Sequence, residues 1–160
     1  MEKDFSCQND TQSQQPQEKP FDERLADYRE DWTKIVIDLT HKMKEIQTLE
    51  NMMNEVYIRR QECVEHIAKM QTVLAIISNK YNKEKVARFN NYKMNSQLRY
   101  TSDSAINTQV DVDLGDMVFN INVLKSHLKA MDETLVTIND IIYGIHDRIQ
   151  LYSIINGLKF

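Results

Sequence analysis

Between Asp22 and about Lys80 the chain has neither glycine nor proline, and its apolar residues recur at alternating spacings of three and four. The series is Leu25, Tyr28, Trp32, Ile35, Leu39, Lys42, Ile46, Leu49, Met53, Val56, Arg60, Cys63, Ile67, Met70, Leu74, Ile77 and Tyr81, and fifteen of the seventeen are apolar or aromatic. This is the heptad signature of a helix packed along one seam. Nothing in it forces a break, and one helix of that length runs about 85 Å at 1.5 Å per residue. A lone helix cannot bury such a seam. It must fold back on a second helix or assemble with other chains, and the pattern leaves both open.

The two exceptions, Lys42 and Arg60, stand where an apolar residue is expected. Polar groups on a seam cost stability but can set register and oligomer state. The simpler expectation is that their aliphatic stems lie along the seam while the charges reach water. A second repeat runs through Met117, Ile121, Leu124, Leu128, Met131, Leu135, Ile138, Ile142, Ile145, Ile149 and Tyr152, with no polar interruption. Val136 and Ile141 widen its last third, so it calls for more than one partner helix. We therefore expect Leu124, Leu128, Met131, Leu135, Ile138, Ile142, Ile145 and Ile149 to form an oligomerisation seam. The alternative is that the first helix covers them within one chain.

Between the repeats, residues 80–100 collect basic and aromatic residues that the rest of the chain keeps apart. Six cations (Lys80, Lys83, Lys85, Arg88, Lys93, Arg99) and one acid, Glu84, give the segment a charge of +5 inside a chain of −4, which leaves −9 elsewhere. Tyr81, Phe89, Tyr92 and Tyr100 lie among those cations, with four asparagines and Asn79 just before them. Cations hold phosphates and rings stack on bases, so the composition suits single-stranded DNA, with Lys80, Tyr81, Lys83, Lys85, Arg88, Phe89, Tyr92, Lys93 and Arg99 as contacts. The plain alternative is a solvated bend between helices.

The expected fold class is all-α: two long heptad-patterned segments joined by the basic stretch and a short connector. Residues 1–20, with five glutamines and both prolines, lack apolar material and read as a disordered tail. Residues 21–100 form the N-terminal helical region, 101–113 the connector, and 114–160 the C-terminal helix. The connector, with Gly115 just after it, reads as irregular with a short extended piece at residues 107–112. Within it Asp111, Asp113 and Asp116 superficially suggest a calcium loop, but the glycine falls one position early and Asn122 stands where a bidentate Glu is needed. Helix initiation is the better reading, with Asp113 as N-cap and Asp116 in the first turn.

Other chemistry finds little support. Three glycines leave no material for a phosphate-cradling loop, and no carboxylate pair or metal-ligand spacing occurs, so we expect neither an enzyme nor a cofactor or metal. His41, His66, His127 and His146 read as surface residues. Cys7 and Cys63 read as free thiols. With no long apolar run and a polar beginning, the expected setting is the cytoplasm, without membrane association.

Several stretches together resemble the UvsY-like family of phage recombination mediators. They are V-D-V-D-L-G-D from Val110, L-K-S-H-L-K from Leu124, I-H-D-R-I-Q-L-Y-S-I-I-N-G-L-K-F from Ile145, and K-V-A-R-F-N-N-Y from Lys85. In the last helix Arg148, Ile149, Leu151, Ile154, Ile155, Lys159 and Phe160 look like the family's closing positions. The resemblance implies a ring-like homo-oligomer that binds single-stranded DNA without sequence preference. It also implies contacts with a phage recombinase and a single-strand-binding protein, so that the recombinase can load. A coiled-coil scaffold or adaptor that binds protein and not DNA is the other class open to such a chain.

Overall fold

In the computed structural model, residues 19–43, 49–94 and 102–157 are described. They form four helices and no strand: α1 (Phe21–Lys42), α2 (Leu49–Met94), α3 (Asp103–Asp113) and α4 (Gly115–Ile155). The protein is all-α. Most of the tail, Arg99, Tyr100, Lys159 and Phe160 lie outside the described residues.

Helix α1 starts where its local chemistry permits. Pro20 precedes it, the Arg24 N–H donates to the Pro20 carbonyl at 3.1 Å, and Asp22 and Glu23 sit in the first turn. Acids there, and His41 with Lys42 in the last turn, complement the helix dipole at both ends. The first repeat nonetheless divides: α1 ends at Lys42 and α2 begins at Leu49. No breaker residue marks the spot. The division follows from tertiary gain, because two shorter helices can lie side by side on α4 and cover the wide apolar side that one straight helix would leave half bare.

The pairings fix the directions. Arg60 meets Asn139, Cys63 meets Met131, and His66 meets His127, so α2 runs antiparallel to α4. Tyr28 meets His127 and Met43 meets Arg148, so α1 runs parallel to α4. The three helices enclose a core of Trp32, Leu39, Leu49, Met52, Val56, Cys63, Ile67, Leu128, Met131, Ile138, Ile141, Ile142 and Ile145. Fully burying each such side chain is worth about 1.5–3 kcal/mol. At its lower end the Met43 methyl carbon lies 2.7 Å from where a Cβ would stand on Gly144, so the glycine lets α1 close onto α4. Helix α4 then stops at Asn156 and Gly157, whose φ of 68° suits a residue without a Cβ.

The second seam is covered as in the alternative given above. Leu124, Leu128, Met131, Ile138, Ile142 and Ile145 are buried, and Leu135 and Ile149 pack against the core, all within one chain. The apolar excess does take two partner helices, but both come from the same polypeptide. Within this chain the seam is covered by α1 and α2.

The seam polar residues act as cross-links. Arg60 Nε donates to Asn139 Oδ1 at 2.9 Å between α2 and α4. Lys42 bridges Asp38 on its own helix and Glu55 on α2, and those hydrogen bonds, Asp38 first, hold its ammonium above the ordinary lysine range.

The histidines depart from expectation. His41 and His146 are exposed, but His127 is fully buried and His66 half-buried. Their Nε2 atoms lie 2.7 Å apart, and Tyr28 stacks on His66 with centroids 3.9 Å apart, so one residue from each of three helices meets there. One ring must donate and the other accept, which requires at least one neutral imidazole. Burial, then the charges of His66 and Arg29, pushes the His127 pKa down to about 4, against a smaller opposing effect of the Leu25 carbonyl. Its Nδ1 nevertheless has no hydrogen-bond partner of good geometry. Cys63 is likewise buried, and burial raises its thiol pKa to about 11, so it packs as a small apolar group.

Candidate nucleic-acid interface

The three-helix packing does not continue along the whole of α2. Beyond about Leu74 the antiparallel partner of α2 becomes α3, and a second, smaller core forms from Ile106, Val110 and Leu114 with Tyr81, Phe89, Tyr92 and Met117. The basic segment is therefore helical as far as Met94, and one side of it is already occupied.

Helix α3 is the part of the fold that sequence reasoning missed. Ser102 caps it, its hydroxyl oxygen accepting the Ala105 N–H at 3.3 Å, and Asp103 sits in the first turn. Residues 107–112 are thus helical, not extended. The pattern is there, since Ile106, Val110 and Leu114 repeat every four residues, but eleven residues with five acids or amides among them look like a loop. Helix α4 restarts at once, without a side-chain cap: the Leu114 N–H donates to the Val110 carbonyl at 3.0 Å, and the Val118 N–H to the Leu114 carbonyl at 3.1 Å. Asp113 is not an N-cap. Asp116 does lie in the first turn of α4.

The acids of α3 instead face the cations of α2. Lys85 Nζ lies 2.7 Å from Asp111 Oδ1, Arg88 Nη1 3.4 Å from Asp113 Oδ2, and Lys93 Nζ 3.3 Å from Asp103 Oδ1. Tyr81 Oη donates to Asp111 Oδ1 at 3.4 Å, and Tyr92 Oη donates to Asp113 Oδ2. Gln109 adds a 2.8 Å bond to the other oxygen of Asp113. The electrostatics follow. The Asp111 hydrogen bond, then that of Tyr81, holds the Lys85 ammonium above the ordinary lysine range, while Lys85 holds the Asp111 carboxyl below the usual carboxylate range. Asp113 is lowered by Tyr92 first, then Gln109 and Arg88. Cations also sit over rings within α2, Lys85 at 5.7 Å from the Tyr81 centroid and Lys93 at 5.6 Å from that of Phe89.

The candidate contacts thus fall into two groups. Tyr81, Phe89 and Tyr92 pack on α3, and Lys85, Arg88 and Lys93 pair with its acids. Lys80 and Lys83 are exposed and make no ion pair among the described residues. At 100° per residue Lys80 and Lys83 lie about 60° apart, on the side of α2 turned away from Tyr81, Phe89 and Tyr92, whereas Arg88 lies toward α3.

A different surface appears at the far end of α4, where Tyr143, Leu151, Tyr152, Ile154 and Ile155 are exposed, Ile154 by 75% and Ile155 by 72%. Among the described residues no helix is long and apolar enough to cross a membrane. No family model, curated protein or solved structure matches the chain.

Proposed function

We propose that this protein is a recombination mediator that captures single-stranded DNA through the basic face of α2 and helps a phage recombinase load onto it. The observation that carries this reading is the gathering of Lys80, Lys83, Lys85, Arg88 and Lys93 with three aromatic rings on one stretch of α2, on a chain that is otherwise acidic. Phosphates are held by the lysines and arginine irrespective of base, so binding is not sequence-specific. One copy meets only a few phosphates. Copies joined in a homo-oligomer meet many, and later contacts form at high effective concentration. Because the long seam of α4 is filled within the chain, such an assembly uses the exposed apolar residues near its C-terminal end. The recombinase and the single-strand-binding protein, as partners, rest on the family resemblance alone.

Titration of oligothymidine at several salt concentrations tests the reading. Each phosphate neutralised contributes roughly 0.7 to the salt slope on a single strand. Binding that weakens steeply with salt, and that falls by more than about tenfold in the Lys80→Ala/Lys83→Ala variant, supports it. Absence of binding at low salt overturns it.

The scaffold or adaptor reading draws on the exposed Tyr143, Leu151, Tyr152, Ile154 and Ile155, which offer a protein partner more apolar surface than one chain covers. Under it, the lysine changes leave the protein's interactions unaltered.

A further inference from the structure

We infer that α3 is an internal competitor for the strand: it occupies the aromatic and cationic contacts of α2 in the free protein and undocks when single-stranded DNA binds. The inference rests on the DNA-binding reading above and concerns how that same site is regulated.

Three carboxylates of α3 stand against three cations of α2, where phosphates would otherwise stand: Asp103 on Lys93, Asp111 on Lys85, Asp113 on Arg88. Its apolar side covers Tyr81, Phe89 and Tyr92, the rings on which bases would stack. Helix α3 thus supplies both chemistries of a nucleic-acid strand, negative charge at intervals and flat apolar contact between.

The contact is also built to release. Helix α3 has eleven residues, below the roughly 12–15 at which an isolated helix is even marginal in water, so it holds its shape only while docked. It has three buried or nearly buried apolar anchors, Ile106, Val110 and Leu114, and is separate from the main core. Two of the three ion pairs are largely exposed, with side-chain accessibilities of 35% and 53% for Lys85 and Asp111 and 57% and 65% for Lys93 and Asp103, while Asp113, at 18%, is sheltered against Arg88. Exposed pairs hold weakly and are screened by salt. The junction at Leu114 and Gly115, where one helix ends and the next begins, provides the place to bend without disturbing α4.

An exchange of carboxylates for phosphates has a measurable signature. Cations that trade one anion for another release no new counterions, so three of the site's cations are silent in the wild-type salt slope. The Asp103→Asn/Asp111→Asn/Asp113→Asn variant frees them. Its salt slope on oligothymidine should then rise by roughly 2, and its affinity at low salt by about tenfold. A control of equal charge change on exposed α4 positions, Glu133→Gln/Asp140→Asn/Asp147→Asn, should give a much smaller gain. Hydrogen exchange completes the test, since amides of α3 in the wild-type protein should lose protection when oligothymidine is added. If the wild type binds but the α3 variant gains no more than the control, or α3 keeps its protection in the complex, the competitor is refuted and the DNA-binding reading stands. If neither wild type nor variant binds, the DNA-binding reading itself fails.

Discussion

The two halves of α2 have the same helical backbone and opposite ways of being held. Its first half lies in a three-helix core whose members, Val56, Cys63, Met131, Ile138 and Ile145 among them, are completely shielded. Its second half lies against a single short helix, with three apolar anchors and a row of ion pairs. The first kind of contact gains from every methylene removed from water and has nothing to exchange with a ligand. The second gains little from each pair, yet each of its groups has an equivalent partner in a nucleic-acid strand. The contrast separates the part that must stay folded from the part that can change partners.

The largest effect should come from burying a charge in each core in turn. Ile138→Asp should cost on the order of 4 kcal/mol or more and unfold the three-helix part, as followed by circular dichroism during denaturation. Val110→Asp, at a position just as buried, should leave that main transition in place while α3 amides lose protection in hydrogen exchange. A single cooperative loss in both variants would erase the distinction between the halves.

A smaller effect follows from the buried imidazole. The His127 pKa falls from 6.5 in the unfolded chain to about 4 in the folded protein, so below pH 6.5 the unfolded state binds the proton and the folded state does not. Stability from this group is complete above pH 6.5 and drains away as pH falls toward 4, by up to about 3 kcal/mol. Denaturant titrations at pH 7 and pH 5 should show the loss, and His127→Phe should flatten it. Asp111 and Asp113 of α3 are held below the usual carboxylate range, so the window between pH 6.5 and 5 reports the three-helix half. An unchanged pH profile in the His127 variant would place the titrating group elsewhere.

Smallest is Arg60→Met, which keeps the stem on the seam and removes the bond to Asn139. It should cost about 1 kcal/mol in denaturant unfolding, the usual worth of one such hydrogen bond. A stabilised variant would mean that the guanidinium serves register and not stability.

Much of this architecture was legible in the chain. The spacing of Leu25, Trp32 and Leu39, of Val56, Cys63 and Ile67, and of Leu124 to Ile145 names helices and their buried sides, because burial follows periodicity. The charge contrast at residues 80–94 was likewise local and needed no fold to be seen. Several things were not local. That α1 and α2 run in opposite directions has no sequence signal, since it follows from laying two helices on α4. Helix α3 is too short and polar to announce itself, and its acids acquire meaning only opposite Lys85, Arg88 and Lys93. His127 reads as a surface residue until α1 and α2 close over it.

By itself, then, the sequence determined an all-helical protein with two apolar seams and one basic, aromatic stretch, since these depend on which residues recur and at what interval. Only the tertiary structure decided that the seams meet inside one chain and that the basic stretch faces an acidic helix. Both outcomes depend on where the chain turns back, and that is settled by the total apolar area covered and the charges matched across residues far apart in sequence.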